Sequence, residues 1–142
     1  MNSAQGEVTL KASADLVWQI VGNFNGLQVW HPAVTGSQLT AGGNNEVGAE
    51  RLLALDGGGT IKERLLDYSN SERRYRYCIL DSPLPVSGYE SVVCVEDSGD
   101  GRCRVVWSGS FEAQGVSDGQ AAEIVQGIYD AGLGYLREQF AG

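Results

Sequence analysis

Histidine is nearly absent from this chain: His31 is the only one in 142 residues. One imidazole without a cysteine pair or an acidic cluster beside it cannot build a closed zinc site, so no metal and no other cofactor is expected. Basic residues are scarce too, 10 Lys and Arg against 18 Asp and Glu, for a net charge of −8. That balance argues against nucleic-acid backbones and anionic membrane surfaces as partners. No apolar run approaches the roughly 20 residues that cross a bilayer. Met1 to Gly6 lacks the basic start and apolar stretch of an export signal, so a cytoplasmic address is expected. Cys78, Cys94 and Cys103 are odd in number and lie in strand-like runs, which reads as reduced core thiols. There is no Gly-x-Ser-x-Gly elbow. The triplet Gly57-Gly58-Gly59 is followed by no Lys-Ser/Thr and opens no helix, so it is a hairpin turn before it is a phosphate loop.

What remains is an ordinary hydrophobic content of 42%, enough for one core and a single domain over 1–142. The organising element is at the end. Ser117 and Gln120 have the spacing of a capping box. Ala121, Ile124, Val125, Ile128, Tyr129, Gly132, Tyr135, Leu136 and Phe140 then recur at helical spacing. Glu123, Asp130 and Arg137 form the opposite, solvated stripe, with Gly127 and Gly134 beside it. Such a helix, about 36 Å long at ~1.5 Å per residue, needs a broad surface to lie on.

The preceding residues supply that surface. A short edge-like strand is expected at Glu7–Lys11, then a helix capped by Ser13 that ends near Asn25-Gly26, then a helical piece from Leu27 to Trp30. From Val34 the period changes to two, with strands expected at about 34–40, 47–55, 60–68, 73–80, 87–96 and 103–113. The short turns between them imply antiparallel neighbours. The fold class is α+β: a seven-stranded antiparallel curved sheet around a long C-terminal helix, with two short helices after the first strand.

Five stretches carry a resemblance to a known family: Ser13-Ala14-Asp15-Leu16-Val17-Trp18, Phe24 to Pro32, Val47-Gly48-Ala49-Glu50-Arg51, Glu63-Arg64-Leu65-Leu66-Asp67 and Tyr89-Glu90-Ser91. In this order and spacing the chain resembles the START-like, helix-grip superfamily, which includes the major pollen allergens, polyketide cyclase/dehydrase-like proteins and plant abscisic-acid receptors. The bacterial cyclase/dehydrase-like branch is the nearest in kind and the receptors are more distant. The resemblance implies a ligand cavity between sheet and helix. It implies that Glu63 faces that cavity and meets ligand through water, and that His31 stands where the receptors carry a lysine for the ligand carboxylate. It also implies a gate and a latch at Asp56–Gly59 and Ser82–Ser87, although the glycine triplet is shorter than the receptor gate.

Strand parity names the inward side chains. Arg74 and Arg76 belong in solvent, so Tyr75, Tyr77 and Ile79 point inward. The other inward sets are Arg51, Leu53 and Leu55; Ile61 and Glu63; Tyr89 and Ser91; Trp107 and Phe111; with Ile124 and Ile128 facing them from the helix. Aromatic residues at strand parity make plain core as readily as a pocket lining; the resemblance favours the pocket. For Glu63 the alternative is an ion pair with Arg51 or Arg64, and for His31 a satisfied loop residue. Trp18 and Trp30 either close the barrel or pack its core.

Three functions fit. The first is binding of a small hydrophobic or aromatic molecule by a monomer or homodimer. The second is a cyclase-type enzyme, in which Glu63 or His31 removes a proton next to a carbonyl and Tyr77 or Tyr89 stabilises the oxyanion. The third is an interaction module whose cavity its own side chains fill. One histidine and one buried carboxylate are few titratable groups for catalysis, which favours binding.

Overall fold

A computed structural model describes residues 1–140. The chain runs β1 (Asn2–Leu10), α1 (Ala14–Val21), a 3-10 turn (Phe24–Gly26), α2 (Leu27–Trp30), β2 (Val34–Ala41), β3 (Glu50–Leu55), β4 (Thr60–Ser69), β5 (Arg74–Asp81), β6 (Val86–Gly99), β7 (Arg102–Ala113) and α3 (Asp118–Gln139). The seven strands form one antiparallel sheet in the order β1-β7-β6-β5-β4-β3-β2. Strands β2 to β7 follow one another through short turns, and β1 joins the far edge beside β7. This is the α+β helix-grip architecture expected from the order of elements.

The first strand is longer than the expected Glu7–Lys11. It pairs with β7 along its whole length, from Asn2 opposite Phe111 to Leu10 opposite Cys103. Asn2, Ser3, Gln5 and Gly6 have little intrinsic strand preference, so pairing decides the conformation there. Gly6 has a second role: a Cβ on it would lie 2.8 Å from Leu133 Cδ1, so its bareness lets α3 settle on β1.

Helix α1 stops at Val21, earlier than Asn25-Gly26. Its start is as read, with Ser13 Oγ accepting from the Leu16 amide at 3.2 Å. Its end is set by contacts remote in sequence: Asn45 Oδ1 takes the Phe24 amide at 2.9 Å and Asn44 Oδ1 takes the Asn25 amide at 3.0 Å. The same loop delays β3 from the expected 47 to Glu50, because Ala49 donates back to the Glu46 carbonyl in a turn and Gly48 has positive φ.

Helix α3 has the full capping box, with Gln120 N donating to Ser117 Oγ and Ser117 N donating to Gln120 Oε1. Its buried stripe is Ala121, Val125, Tyr129, Gly132, Leu133 and Leu136. The stripe is rotated from the one read in the sequence: Ile124 is 39% exposed and leaves the cavity side, while Leu133 is buried. Val125 and Tyr129 lie four residues apart, and Leu133 continues that row onto β1. No helix among the described residues is long and apolar enough to cross a membrane. Cys103 is buried, but Cys78 and Cys94 are half-buried on the outer face, Cys78 following Arg74 and Arg76 along β5 and Cys94 lying opposite Arg74 on β6, so only one of the three thiols is in the core.

Candidate functional site

Between α3 and the concave face of the sheet lies a cavity of about 190 Å³. Larger hollows on the surface are lined by exposed loops or by polar strand residues, such as the one of about 440 Å³ beside Ser3, Ser108 and Ser110. The inner cavity has apolar walls with sparse polar groups, the composition that ligand pockets share. Val34, Leu53, Ile61 and Ile79 form its sheet side, Leu27 and Ile128 its helical side, and Leu55, Asp56 and Leu84 its rim.

Arg51 and Glu63 face each other directly across β3 and β4. Arg51 is completely buried and Glu63 nearly so. Both Arg51 Nε and Nη2 donate to one oxygen, Glu63 Oε1, at 2.9 and 2.7 Å. Arg51 Nη1 donates to the Phe24 carbonyl, and the guanidinium lies 4.0 Å from the centre of the Phe24 ring. A cation so enclosed is retained because each side is satisfied. Desolvation is the largest influence and works against the charge on Arg51, but the Glu63 carboxylate together with Tyr75 and Tyr77 holds the guanidinium pKa above its ordinary value. Burial pushes the Glu63 carboxyl up, against the opposing pull of Arg51. Glu63 is thus an ion-pair partner and a cavity residue at once. Arg64 is not involved; it pairs outside with Glu50 at 3.0 Å.

The second polar group is a chain of hydroxyls. Ser91 Oγ donates to the Ser108 carbonyl at 2.7 Å, an acceptor only. Tyr129 must therefore donate to Ser91 at 3.1 Å, Tyr89 to Tyr129 at 2.6 Å, and Tyr77 to Tyr89 at 3.3 Å. Trp107 Nε1 donates into the same chain, to Ser91 at 2.9 Å and Tyr77 at 3.1 Å. The direction of every proton follows from its two fixed ends. Burial raises the phenol pKa values of Tyr77 and Tyr89 well above normal and pushes Tyr129 up to about 12, so all three stay protonated.

His31 is buried and tied on both sides. The Ile128 carbonyl can only accept, so Nε2–H donates to it at 2.7 Å. Nδ1, unprotonated in that tautomer, accepts from the Ala33 amide at 3.2 Å. Desolvation lowers its pKa, the Ile128 carbonyl partly opposing. His31 thereby straps the end of α2 to α3 and has no free nitrogen.

Of the thirteen residues the sequence nominates, eight line this cavity: His31, Leu53, Leu55, Glu63, Tyr77, Tyr89, Trp107 and Ile128. Arg51, Tyr75, Ser91 and Phe111 are buried behind the wall, and Ile124 is on the outer side of α3. The nomination of these five as lining residues is corrected accordingly: parity gives the face of a strand, not the depth of a side chain behind its neighbours. Ile61 and Ile79, read from strand parity as facing inward with Glu63 and Tyr77, line the cavity too. Leu27 was within reach of the sequence, three residues before Trp30 on a helical turn. Val34 opens the strand expected at 34–40, whereas Ala33 and Leu84 come from irregular segments and carry no periodic signal. Trp18 and Trp30 are core residues; Trp18 Nε1 donates to Asn70 at 2.7 Å and Trp30 packs on Trp107.

At the rim, the two loops meet. A Cβ built on Gly59 would lie 4.0 Å from Pro83 Cγ. Gly57, Gly58 and Gly59 all have positive φ, which only glycine adopts at little cost. Among the described residues, no three of His, Cys, Asp and Glu converge where a metal could sit.

A curved antiparallel sheet gripping one long helix, with a cavity between them, defines a helix-grip protein. The chain belongs to the family described as polyketide cyclase / dehydrase and lipid transport, whose model matches residues 1–141. Among solved structures it is similar to XoxI from Bacillus cereus, at 37% identity over 99% of this chain and 96% of that one, with a TM-score of 0.93. A putative uncharacterized protein from Bacillus thuringiensis is also 37% identical, over 99% of both chains, with a TM-score of 0.91. The Zhui aromatase/cyclase from a Streptomyces species shares the fold at 18% identity, with a TM-score of 0.78 over 97% of this chain and 92% of that one. No curated protein matches the chain.

Proposed function

We propose that this protein binds a small, mainly apolar molecule of single-ring size in the cavity between the sheet and α3. The observation that carries the reading is the cavity itself: about 190 Å³, walled by Leu27, Val34, Leu53, Ile61, Ile79 and Ile128. An apolar cavity of about 150 Å³ admits one benzene ring, so this space suits a ring with a short substituent and is small for a fused polycycle or a long acyl chain. An aromatase/cyclase activity, as in the name of the Streptomyces neighbour, needs a group free to take a proton. Both nitrogens of His31 are engaged, and a proton on Glu63 would leave the buried Arg51 cation without its partner, so binding is the better supported function.

The test is a nuclear magnetic resonance titration with p-cresol, followed by hydrogen exchange with and without saturating probe. Saturable shifts at Ile61, Ile79 and Ile128 are expected, with slower exchange from Gly57 to Thr60 as the pliable loop closes against Pro83. The absence of saturable binding by any neutral single-ring probe would overturn the reading. Unchanged exchange at Gly57–Thr60 with binding intact would leave the triplet a plain hairpin turn.

A further inference from the structure

The two oxygens of Glu63 are not equivalent. Oε1 receives both Arg51 bonds, at 2.9 and 2.7 Å, while Oε2 has no hydrogen-bond partner. Nor is Oε2 sealed in protein: among the described residues, Trp30 Nε1 is the buried side-chain polar atom that lacks a partner. Since Glu63 lines the cavity, its second oxygen opens into that space.

The other polar groups of the lining have already committed their protons. The His31 Nε2 proton goes to the Ile128 carbonyl, that of Trp107 to Ser91 and Tyr77, that of Tyr89 to Tyr129, and that of Tyr77 to Tyr89. The cavity therefore offers a ligand a free acceptor and no free donor. The nearby cation among the described residues, Arg51, is spent on Glu63 and Phe24 and does not line the space. Asp56 adds a second carboxylate at the rim. Burial favours a proton on Glu63 and Arg51 opposes it, since neutralising the carboxylate would leave the permanent cation of Arg51 buried without its partner.

We infer that the cavity selects uncharged ring compounds that carry a hydrogen-bond donor, phenols or N–H heterocycles, that Glu63 Oε2 accepts this hydrogen bond, and that carboxylates are rejected. The inference rests on the binding function proposed above and adds the polarity of the ligand to it. A hydrogen bond to a charged acceptor discriminates by about 10- to 100-fold against a ligand that leaves the acceptor unpaired.

The test compares three probes of one shape by calorimetric titration at pH near 8: p-cresol, its methyl ether and p-toluate. The phenol should bind about 10- to 100-fold more tightly than the ether, and p-toluate should not bind measurably. In the double variant Arg51→Met with Glu63→Leu, which replaces a buried pair by apolar side chains and is compatible with folding, phenol and ether should bind equally. Phenol and ether of equal affinity in the wild type, or a toluate that binds best, would overturn the inference while leaving the pocket in place. A preference that survives in the folded double variant would overturn the assignment to Glu63. Failure of all three probes to bind would remove the pocket and this selectivity with it. The wild-type comparison decides the matter even if the double variant does not fold.

Discussion

The hydroxyl of Tyr129 in α3 rests on the backbone of Gly109 in β7, at a point where any Cβ would collide with it. The glycine opens a gap in an otherwise continuous row of side chains, and the tyrosine enters through it to reach Tyr89 and Ser91. Gly109 is therefore as much a part of the hydroxyl chain as the residues that hydrogen-bond. Gly109→Ala should destabilise the protein by about 1–3 kcal/mol through overpacking. In a Tyr129→Phe background the same substitution should cost clearly less, because the atom in its way is gone. Chemical denaturation of the four members of this cycle measures the coupling, and additive losses would contradict the contact.

The glycines of α3 divide into two kinds. A Cβ on Gly132 would meet His31, Trp107 and Trp30 at 2.9–3.0 Å, whereas Gly127 and Gly134 have nothing within 4 Å. Alanine at Gly127 or Gly134 should stabilise the helix by roughly 0.5–1 kcal/mol, the propensity difference. Alanine at Gly132 should destabilise by about 1–3 kcal/mol despite that gain, since the aromatic rings around it have no room to yield. Thermal melts of the three single variants should show opposite signs.

The strap made by His31 predicts a pH dependence. Its folded-state pKa lies below the ordinary 6.5 because the ring is buried, the bond to the Ile128 carbonyl only partly opposing. On acidification the unfolded state takes the proton first, so stability rises with pH in this range. The contribution is complete above about 6.5 and is lost as pH falls through the lowered value. Glu63, raised by burial, acts with the opposite sign: its contribution is complete below the ordinary 4.5 and is lost as pH rises through its folded value. The stability difference between wild type and His31→Gln should therefore shrink as pH falls below about 6.5. A difference independent of pH would show that folding leaves the pKa of the ring unchanged, and one that grows on acidification would show that the folded ring holds its charge.

The periodic elements were legible in the sequence for a direct reason. Capping boxes, alternation and helical spacing are properties of neighbours along the chain, and local sterics turn them into conformation before any distant contact exists. Ser117 and Gln120 cap α3 as read, and the inward faces of β3 to β7 follow from parity. Where local preference is weak, tertiary structure decided. Asn2 to Gly6 become strand because β7 supplies partners, and α1 ends where Asn44 and Asn45 arrive from a distant loop. The long helix was readable but its rotation was not. Ile124 and Leu133 flank the same apolar arc, and only the bare backbones of Gly6 and Gly109 determine which of them turns inward. The chemistry of the cavity is of the second kind as well. Sequence names a glutamate and an arginine twelve residues apart, whereas the register of β3 on β4 brings them face to face. That the arginine takes one oxygen and leaves the other to the cavity depends on the angle between two side chains, which no spacing along the chain encodes.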